Sequence, residues 1–414
     1  MENKEKILAI NGGIPYKKNK FPEWPVRGKR EMELLAEVVE SGCWWRMNGT
    51  KVEKFEKLFA DMHNCNYCLG VTSGTIALEL SLLALGIKEG DEVIVPAFTY
   101  ISTASAVVYC NAKPVLVDVN PETFCLDENK IEEAITEKTK VIIPVHMAGH
   151  ACNMETICNI AQKHNLHIIE DCAHGHNGEY NGKKLGSFGD VSIFSFQNGK
   201  LMTCGEGGAI LTNNRLLYDK LFLMHSVGRP KIDDGYTHRV IGTTCRMNEF
   251  QAAVLIAQIE RVSELMIKRI ENSKYLDKLL LSIDGITAQK CSDYAVNGMT
   301  HYMYMFYYDS TKFGDRSRKE FVQALNAEGI PANISFPVVS KTELFLNSNF
   351  LNKISKYNYD NEKKLDNATK IGDNVVCLPH YTLLGTKEDI EDIFYSIKKI
   401  KESFVFEKGN VDDE

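Results

Sequence analysis

The segment Phe194-Ser195-Phe196-Gln197-Asn198-Gly199-Lys200 runs an apolar stretch into a short polar turn that delivers one lysine, and Gly205-Glu206-Gly207-Gly208 follows it. An amine held in a partly desolvated pocket has a lowered pKa and can act as a nucleophile or Schiff-base former. The glycines let backbone approach a flat ligand without Cβ obstruction. Taken alone, Lys200 also reads as a surface lysine in a loop. Upstream, Ile168-Ile169-Glu170-Asp171-Cys172-Ala173-His174 ends an apolar strand in a carboxylate, at the strand end where open α/β sheets gather ligands. Asp171 can pair with a protonated ring nitrogen, or simply cap the next turn. Third, Val71-Thr72-Ser73-Gly74-Thr75 opens an apolar helix, Ile76–Gly86. Free N–H groups and the dipole at such a start favour an anion such as phosphate, although Ser and Thr there are equally ordinary N-caps. Each signal is weak by itself. A phosphate-type helix start, a strand-end acid and then a lysine, in that order, form the constellation suited to pyridoxal 5′-phosphate (PLP).

Such residues need a sheet to hold them. Between about residues 90 and 212, short β-branched runs alternate with helical stretches: Glu92–Pro96, Pro114–Val117, Val141–Val145, His167–Ile169, Val191–Phe196 and Ala209–Thr212. Most are apolar throughout, which suits strands of a mainly parallel sheet buried on both faces, and the alternation predicts an α/β fold. Glu249–Leu281 lacks Pro and Gly and has apolar residues at helical spacing, so it predicts one long helix. Beyond it, a strand (His301–Tyr308) and helices (Arg318–Glu328, Lys387–Ser403) predict a smaller α+β unit. The expected division is 1–264 for an N-terminal segment and a large PLP-binding domain, and 265–404 for a small C-terminal domain, which the N-terminal segment could instead join. Residues 405–414 are expected to be a disordered tail.

Composition excludes several classes. The chain has 414 residues, too many for one small core, and its 48 basic and 55 acidic residues leave a net charge of −7, so nucleic acid is not the expected partner. No apolar run approaches membrane-spanning length and the N-terminus has no signal-peptide core, so a cytoplasmic protein is expected. Twelve cysteines, spread thinly, read as free thiols. Cys65 and Cys68 have CxxC spacing, but no second pair or His cluster completes a site, so no metal is expected.

The motifs Thr-Ser-Gly-Thr (72–75), Val-Pro-Ala-Phe-Thr-Tyr (95–100), Glu-Asp-Cys-Ala-His (170–174), Phe-Ser-Phe-Gln-Asn-Gly-Lys (194–200), Gly-Glu-Gly-Gly (205–208) and Arg-Met-Asn-Glu-Phe-Gln-Ala-Ala (246–253) resemble the DegT/DnrJ/EryC1/StrS aminotransferases. The resemblance runs from roughly Phe21 to Leu378 and implies a fold type I PLP scaffold acting on keto-sugars or ketocyclitols. It implies that Lys200 carries the cofactor as a Schiff base and later shuttles a proton, and that Asp171 keeps the pyridine nitrogen protonated. Tyr100 would stack on the ring and His174 would lie near its phenolic oxygen. Ser73, Gly74 and Thr75 would hold the phosphate, helped by the Ser195 hydroxyl. Many relatives carry an asparagine where Thr244 stands, two residues before Arg246, and that asparagine reaches the neighbouring subunit's phosphate. Threonine is shorter, though its hydroxyl can still donate. A homodimer with shared active sites is implied.

Cys43-Trp44-Trp45-Arg46, Val145-His146-Met147-Ala148-Gly149-His150, Gln197–Thr203 and Gly228-Arg229-Pro230 through His238-Arg239 resemble the 3-amino-5-hydroxybenzoate synthase branch, and less closely the scyllo-inosose aminotransferases. Arg229, His238 and Arg239 would then bind a ring substrate's carboxylate or hydroxyls, or else serve as surface or interface charge. Specificity is expected in Cys43–Asn48, Gly228–His238 and the loop near Phe336-Pro337. The expected activity is amino transfer from L-glutamine or L-glutamate to a keto-cyclitol or keto-sugar, in secondary-metabolite, antibiotic or amino-sugar biosynthesis. The alternatives are a synthase-type dehydratase and, from another class, a non-catalytic PLP-fold regulator.

Overall fold

The computed structural model describes residues 6–232, 236–346 and 365–412. Nine strands come first: β1 (Tyr67–Val71), β2 (Glu92–Pro96), β3 (Lys113–Val117), β4 (Thr139–Ile142), β5 (His167–Asp171), a two-residue hairpin of β6 (Glu179–Tyr180) and β7 (Lys183–Lys184), β8 (Val191–Ser195) and β9 (Gly208–Thr212). Seven of them form one sheet in the order β1-β9-β8-β5-β4-β2-β3. The four pairings from β8 to β3 are parallel, whereas β9 runs antiparallel to both β8 and β1.

Neighbouring residues on each strand feed opposite faces, as the two-residue period of a strand requires. Ile94, Ile142, Ile168 and Phe194 enter one apolar cluster; Val93, Val141, Ile169 and Ile193 enter the other. Helices α1 (Lys29–Ser41), α2 (Lys51–Met62), α5 (Met154–His164) and the first half of α7 (Glu249–Leu280) cover the first face. Helices α3 (Gly74–Ala84), α4 (Ser102–Tyr109) and α6 (Arg215–His225) cover the second. This double covering explains why the strand runs read as continuously apolar. The expected run Val141–Val145 ends sooner, at Ile142, before Pro144, which has no N–H to give the ladder. Strand β5 runs two residues further than expected and carries Asp171 on its last position.

Helix α7 starts at a capping box formed by Asn248 and Gln251 and leads to a second, antiparallel sheet ordered β10 (Ile286–Ala288), β11 (Met303–Tyr308), β13 (Val375–Pro379), β12 (Asn333–Ile334). Its core takes residues from α7, α8 (Arg318–Ala327) and α9 (Lys387–Asp412), and also Leu8 and Phe21. Leu8 and Phe21 of the N-terminal segment therefore pack with the second sheet. The segment's anchor is the buried carboxylate of Glu328, which accepts hydrogen bonds from the backbone of Ala9 (2.8 Å) and Tyr16 (2.7 Å) and from Lys399 (3.0 Å). Helix α9 runs to Asp412, held by an Arg316–Glu407 ion pair (2.7 Å), a Lys408–Asp315 ion pair (2.5 Å) and the burial of Phe404.

Candidate active site

The carboxyl ends of β2, β5 and β8, the amino end of β9 and the amino end of α3 meet around one cavity of about 450 Å³. Ser73, Gly74, Thr75, Tyr100, Asp171, His174, Ser195 and Lys200 all line it. Eight of the expected cofactor residues, drawn from four separate segments, thus converge on one space.

At its floor lies the start of α3. Ser73 is a true N-cap, its oxygen accepting from Ile76 N–H at 3.2 Å. The cap consumes one orphan donor and leaves the N–H groups of Gly74 and Thr75 without intrahelical acceptors. Thr75 and Ser102 share a hydroxyl–hydroxyl bond of 2.8 Å, which ties the start of α3 to the start of α4. The approach is close enough to demand glycine. A Cβ on Gly208 would lie 2.4 Å from the carbonyl carbon of Ser73, and one on Gly74 would lie 2.9 Å from Cβ of Ser195.

Asp171 is buried at the back of the cavity. Its Oδ1 accepts from Ala173 N–H (3.1 Å) and its Oδ2 from the Thr103 hydroxyl (3.0 Å). Burial pushes this carboxyl's pKa up, and the two donors and the nearby Lys200 charge oppose that. One donor per oxygen leaves acceptor capacity on both. A buried carboxylate with spare lone pairs is suited to a protonated ring nitrogen.

Lys200 is half-buried. Desolvation lowers its pKa to about 8, with the Asp171 charge pulling the other way. Its Nζ sits over the face of Tyr302, 4.4 Å from the ring centroid. That ring in turn stacks on His174, with centroids 4.1 Å apart and planes at 21°. His174 is held neutral, its pKa pushed far down by burial and then by the Lys200 charge. Its Nδ1 is buried without a hydrogen-bond partner. The orphan nitrogen, the free helix N–H groups, the spare carboxylate lone pairs and the poised amine together fit PLP. Tyr100 is 54% exposed, with its ring 6.0 Å from that of Phe336 on the cavity wall.

Four expected residues do not line this cavity. Thr244 is exposed and bridges to Ser226. The guanidinium of Arg229 lies over the Tyr236 ring at 4.4 Å, His238 Nδ1 meets the carbonyl of Val227 at 2.6 Å, and Arg239 is exposed. Asp234 and Gly235 of the same motif lie outside the described residues. Thr99 and Glu206 also line the cavity from within the quoted motifs, as do Thr103 and Tyr302, which no quoted motif contains. Thr99, two positions from the motif's Pro-Ala and beside Tyr100, was within reach of the sequence; Tyr302 comes from the distant start of β11 and carried no such signal. Phe336, expected in a specificity loop, is on the wall.

Two structural curiosities near the site are explained by hydrogen bonding. His146, Glu170 and Cys172 cluster behind Asp171 as three candidate metal ligands. Glu170, however, already accepts from Gly186 N–H (2.5 Å), Phe188 N–H (3.0 Å) and His146 Nε2 (3.0 Å), while His146 Nδ1 accepts from Cys152 N–H (3.0 Å). These bonds put a ring proton of His146 on Nε2 and occupy the lone pairs a metal would need. The lysine turn is braced from the N-terminal segment, where Trp24 Nε1 donates to the carbonyl of Asn198 at 2.8 Å.

Residues 25–398 match the model of the DegT/DnrJ/EryC1/StrS aminotransferase family. The chain is 41% identical over 327 residues to 3-amino-5-hydroxybenzoate synthase of Amycolatopsis mediterranei, covering 78% of this chain and 84% of that one. It is 34% identical over 412 residues to a putative L-glutamine:3-amino-2,3-dideoxy-scyllo-inosose aminotransferase of Streptomyces kanamyceticus, covering 96% and 98%. The crystal structure of 3-amino-5-hydroxybenzoic acid synthase superposes with a TM-score of 0.85 at 36% identity, over 93% of this chain and 99% of that one. With the family's motifs gathered around one cavity and the match spanning nearly the whole length, this chain belongs to the DegT/DnrJ/EryC1/StrS aminotransferase family.

Proposed function

We propose that this PLP-dependent aminotransferase moves the amino group of L-glutamine to the ketone of a keto-cyclitol or keto-sugar. The observation that carries the reading is the convergence of Lys200, Asp171 and the α3 amino end on one cavity. When bound, PLP supplies the electron-poor ring that accepts electrons from the bond being broken at the amine-bearing carbon. The protein residues do the rest. Gly74 and Thr75 would hold the phosphate through backbone N–H groups, with Ser73 and Ser195 beside them. Asp171 would accept the ring N–H, His174 would offer its free nitrogen to the ring oxygen, and Tyr100 would cover a ring face. Lys200 would hold the cofactor through Nζ. Once released, with its pKa near 8, it is poised to take and return a proton at near-neutral pH.

The exposure of Thr244, His238 and Arg239 supports a homodimer in which these residues face the partner's cavity. We place the enzyme in the cytoplasm, in a pathway that builds aminated sugars or cyclitols. A second reading, loss of water and aromatisation of an amino-cyclohexenone acid, is favoured by the 41% identity to 3-amino-5-hydroxybenzoate synthase.

The test is a single turnover. Holoenzyme mixed with L-glutamine and no acceptor should release one equivalent of the 2-oxo acid per active site, measured by mass spectrometry. Lys200→Ala should lose covalent cofactor attachment after borohydride reduction. No oxo acid from any amino acid, together with an aromatic product from the cyclohexenone acid, would replace the first reading by the second.

A further inference from the structure

The turn after β2 presents its side chains in two directions. Tyr100 points into the cavity, while Thr99 and Thr103, four residues apart, are both about 2% exposed and face one another beneath it. Their hydroxyl oxygens are 3.1 Å apart, and the Thr103 hydroxyl lies 3.0 Å from Asp171 Oδ2. A threonine hydroxyl has one proton. Since Asp171 accepts the Thr103 proton, the proton between the two threonines comes from Thr99. The direction of the chain is therefore fixed: Thr99 donates to Thr103, and Thr103 donates to the carboxylate.

A threonine in the first turn of a helix usually spends its hydroxyl on a nearby backbone carbonyl or points it to water. Neither occurs here. Valine would fill the same volume in a buried position without any hydroxyl to satisfy, so packing alone does not call for threonine at 103. Consecutive hydrogen bonds also polarise one another, which strengthens the last donor in the chain.

We propose that Thr103, backed by Thr99, is a positioning residue for Asp171: the hydroxyl relay fixes the carboxylate's orientation and keeps it ready to receive a protonated ring nitrogen. This rests on the reading of Asp171 given above. Without the relay, Asp171 Oδ2 loses its side-chain donor in a buried site, and among the described residues the Ala173 N–H on Oδ1 is left to hold the carboxylate. The relay thus acts through Asp171 and touches no reacting atom.

The experiment compares apoprotein binding of PLP with binding of its 1-deaza analogue, in which carbon replaces the ring nitrogen. Thr103→Val should weaken PLP binding by about tenfold or more, the loss expected for a hydrogen bond to a charged group, and leave the deaza analogue's affinity unchanged. Thr103→Ser should restore PLP binding, and Thr99→Val should show a smaller loss of the same kind. Equal losses for both ligands, or no loss for either, would overturn the proposal. Asp171→Asn separates the two levels. If it weakens PLP and the analogue equally, or neither, the reading of Asp171 itself is wrong; if it weakens PLP selectively and Thr103→Val does not, only the relay falls.

Discussion

Adding one methyl group at Gly208 should loosen the phosphate end of the site without unfolding the protein. Gly208 opens β9 directly beneath the start of α3, and a Cβ there would sit 2.4 Å from both the carbonyl carbon and oxygen of Ser73 and 2.8 Å from Gly74 N. Relaxed contacts between such atoms are about 3.5 Å or longer, so Ser73 and Gly74 must retreat by roughly 1 Å. All three atoms are backbone, so no side chain can swing aside. Overpacking of this kind costs about 1–3 kcal/mol of stability. The same retreat shifts the Gly74 and Thr75 N–H groups. Spoiling one charge-assisted hydrogen bond costs about 1.5–3 kcal/mol, which corresponds to roughly a 10- to 100-fold loss of PLP affinity. Fluorescence titration of the apoprotein measures that loss, and pyridoxal, which lacks the phosphate, serves as the second ligand. Gly208→Ala should weaken PLP far more than pyridoxal. Gly28→Ala is the control: its Cβ would meet nothing within 4 Å and its backbone is extended. Wild-type PLP affinity in Gly208→Ala, or equal losses for the two ligands, would refute the placing of phosphate at α3.

The lowered pKa of Lys200, about 8 against an ordinary 10.5, makes apoprotein stability depend on pH. Below about pH 8 the lysine is charged in both folded and unfolded states, so the full cost of burying that charge is present. Between about 8 and 10.5 the unfolded chain holds the extra proton, and the cost fades as pH rises. Lys200→Met apoprotein should therefore be more stable than the parent below pH 8, and urea denaturation should show the difference closing toward pH 10.5. A difference that stays constant across that range would mean the amine is not desolvated. At the other end of the molecule, Glu328→Ala removes a carboxylate that serves two backbone N–H groups and the largely buried Lys399. Leaving such a charge unpaired costs about 3–5 kcal/mol. Limited proteolysis should then cut the segment before Phe21 well ahead of any other site; cleavage no faster than in the parent would show that packing of Leu8 and Phe21 alone holds it.

The strands were legible because burial on both faces of a parallel sheet imposes an apolar run whatever the neighbouring elements do, and β2 falls on the very residues expected. The same rule hides strand ends, which is why Asp171 was placed after its strand and not within it. Lys200, Asp171 and the Ser73–Thr75 turn were legible for another reason. Each sits where one local element ends, and chain order alone puts those ends on the same edge of the sheet. Tyr302 breaks that pattern. It reaches Lys200 from the start of β11, about a hundred residues on, and an aromatic before an apolar strand looks like core until the fold sets its face 4.4 Å from Nζ. The N-terminal anchor was hidden similarly, since Glu328 ends a surface-type amphipathic helix and becomes fully buried only when Ala9, Tyr16 and Lys399 close over it. Thr103 lies between these cases. Its neighbour Tyr100 marked the segment as part of the site, and Thr99 stands in the same motif, in the turn that leads into the helix carrying Thr103. What turns this segment toward the carboxylate is the parallel pairing of β2, β4 and β5, which brings the turn after β2 to the edge of the sheet where β5 ends. The residues that touch the cofactor site through a neighbour are therefore set by sheet order, and sheet order is written in no single segment of the sequence.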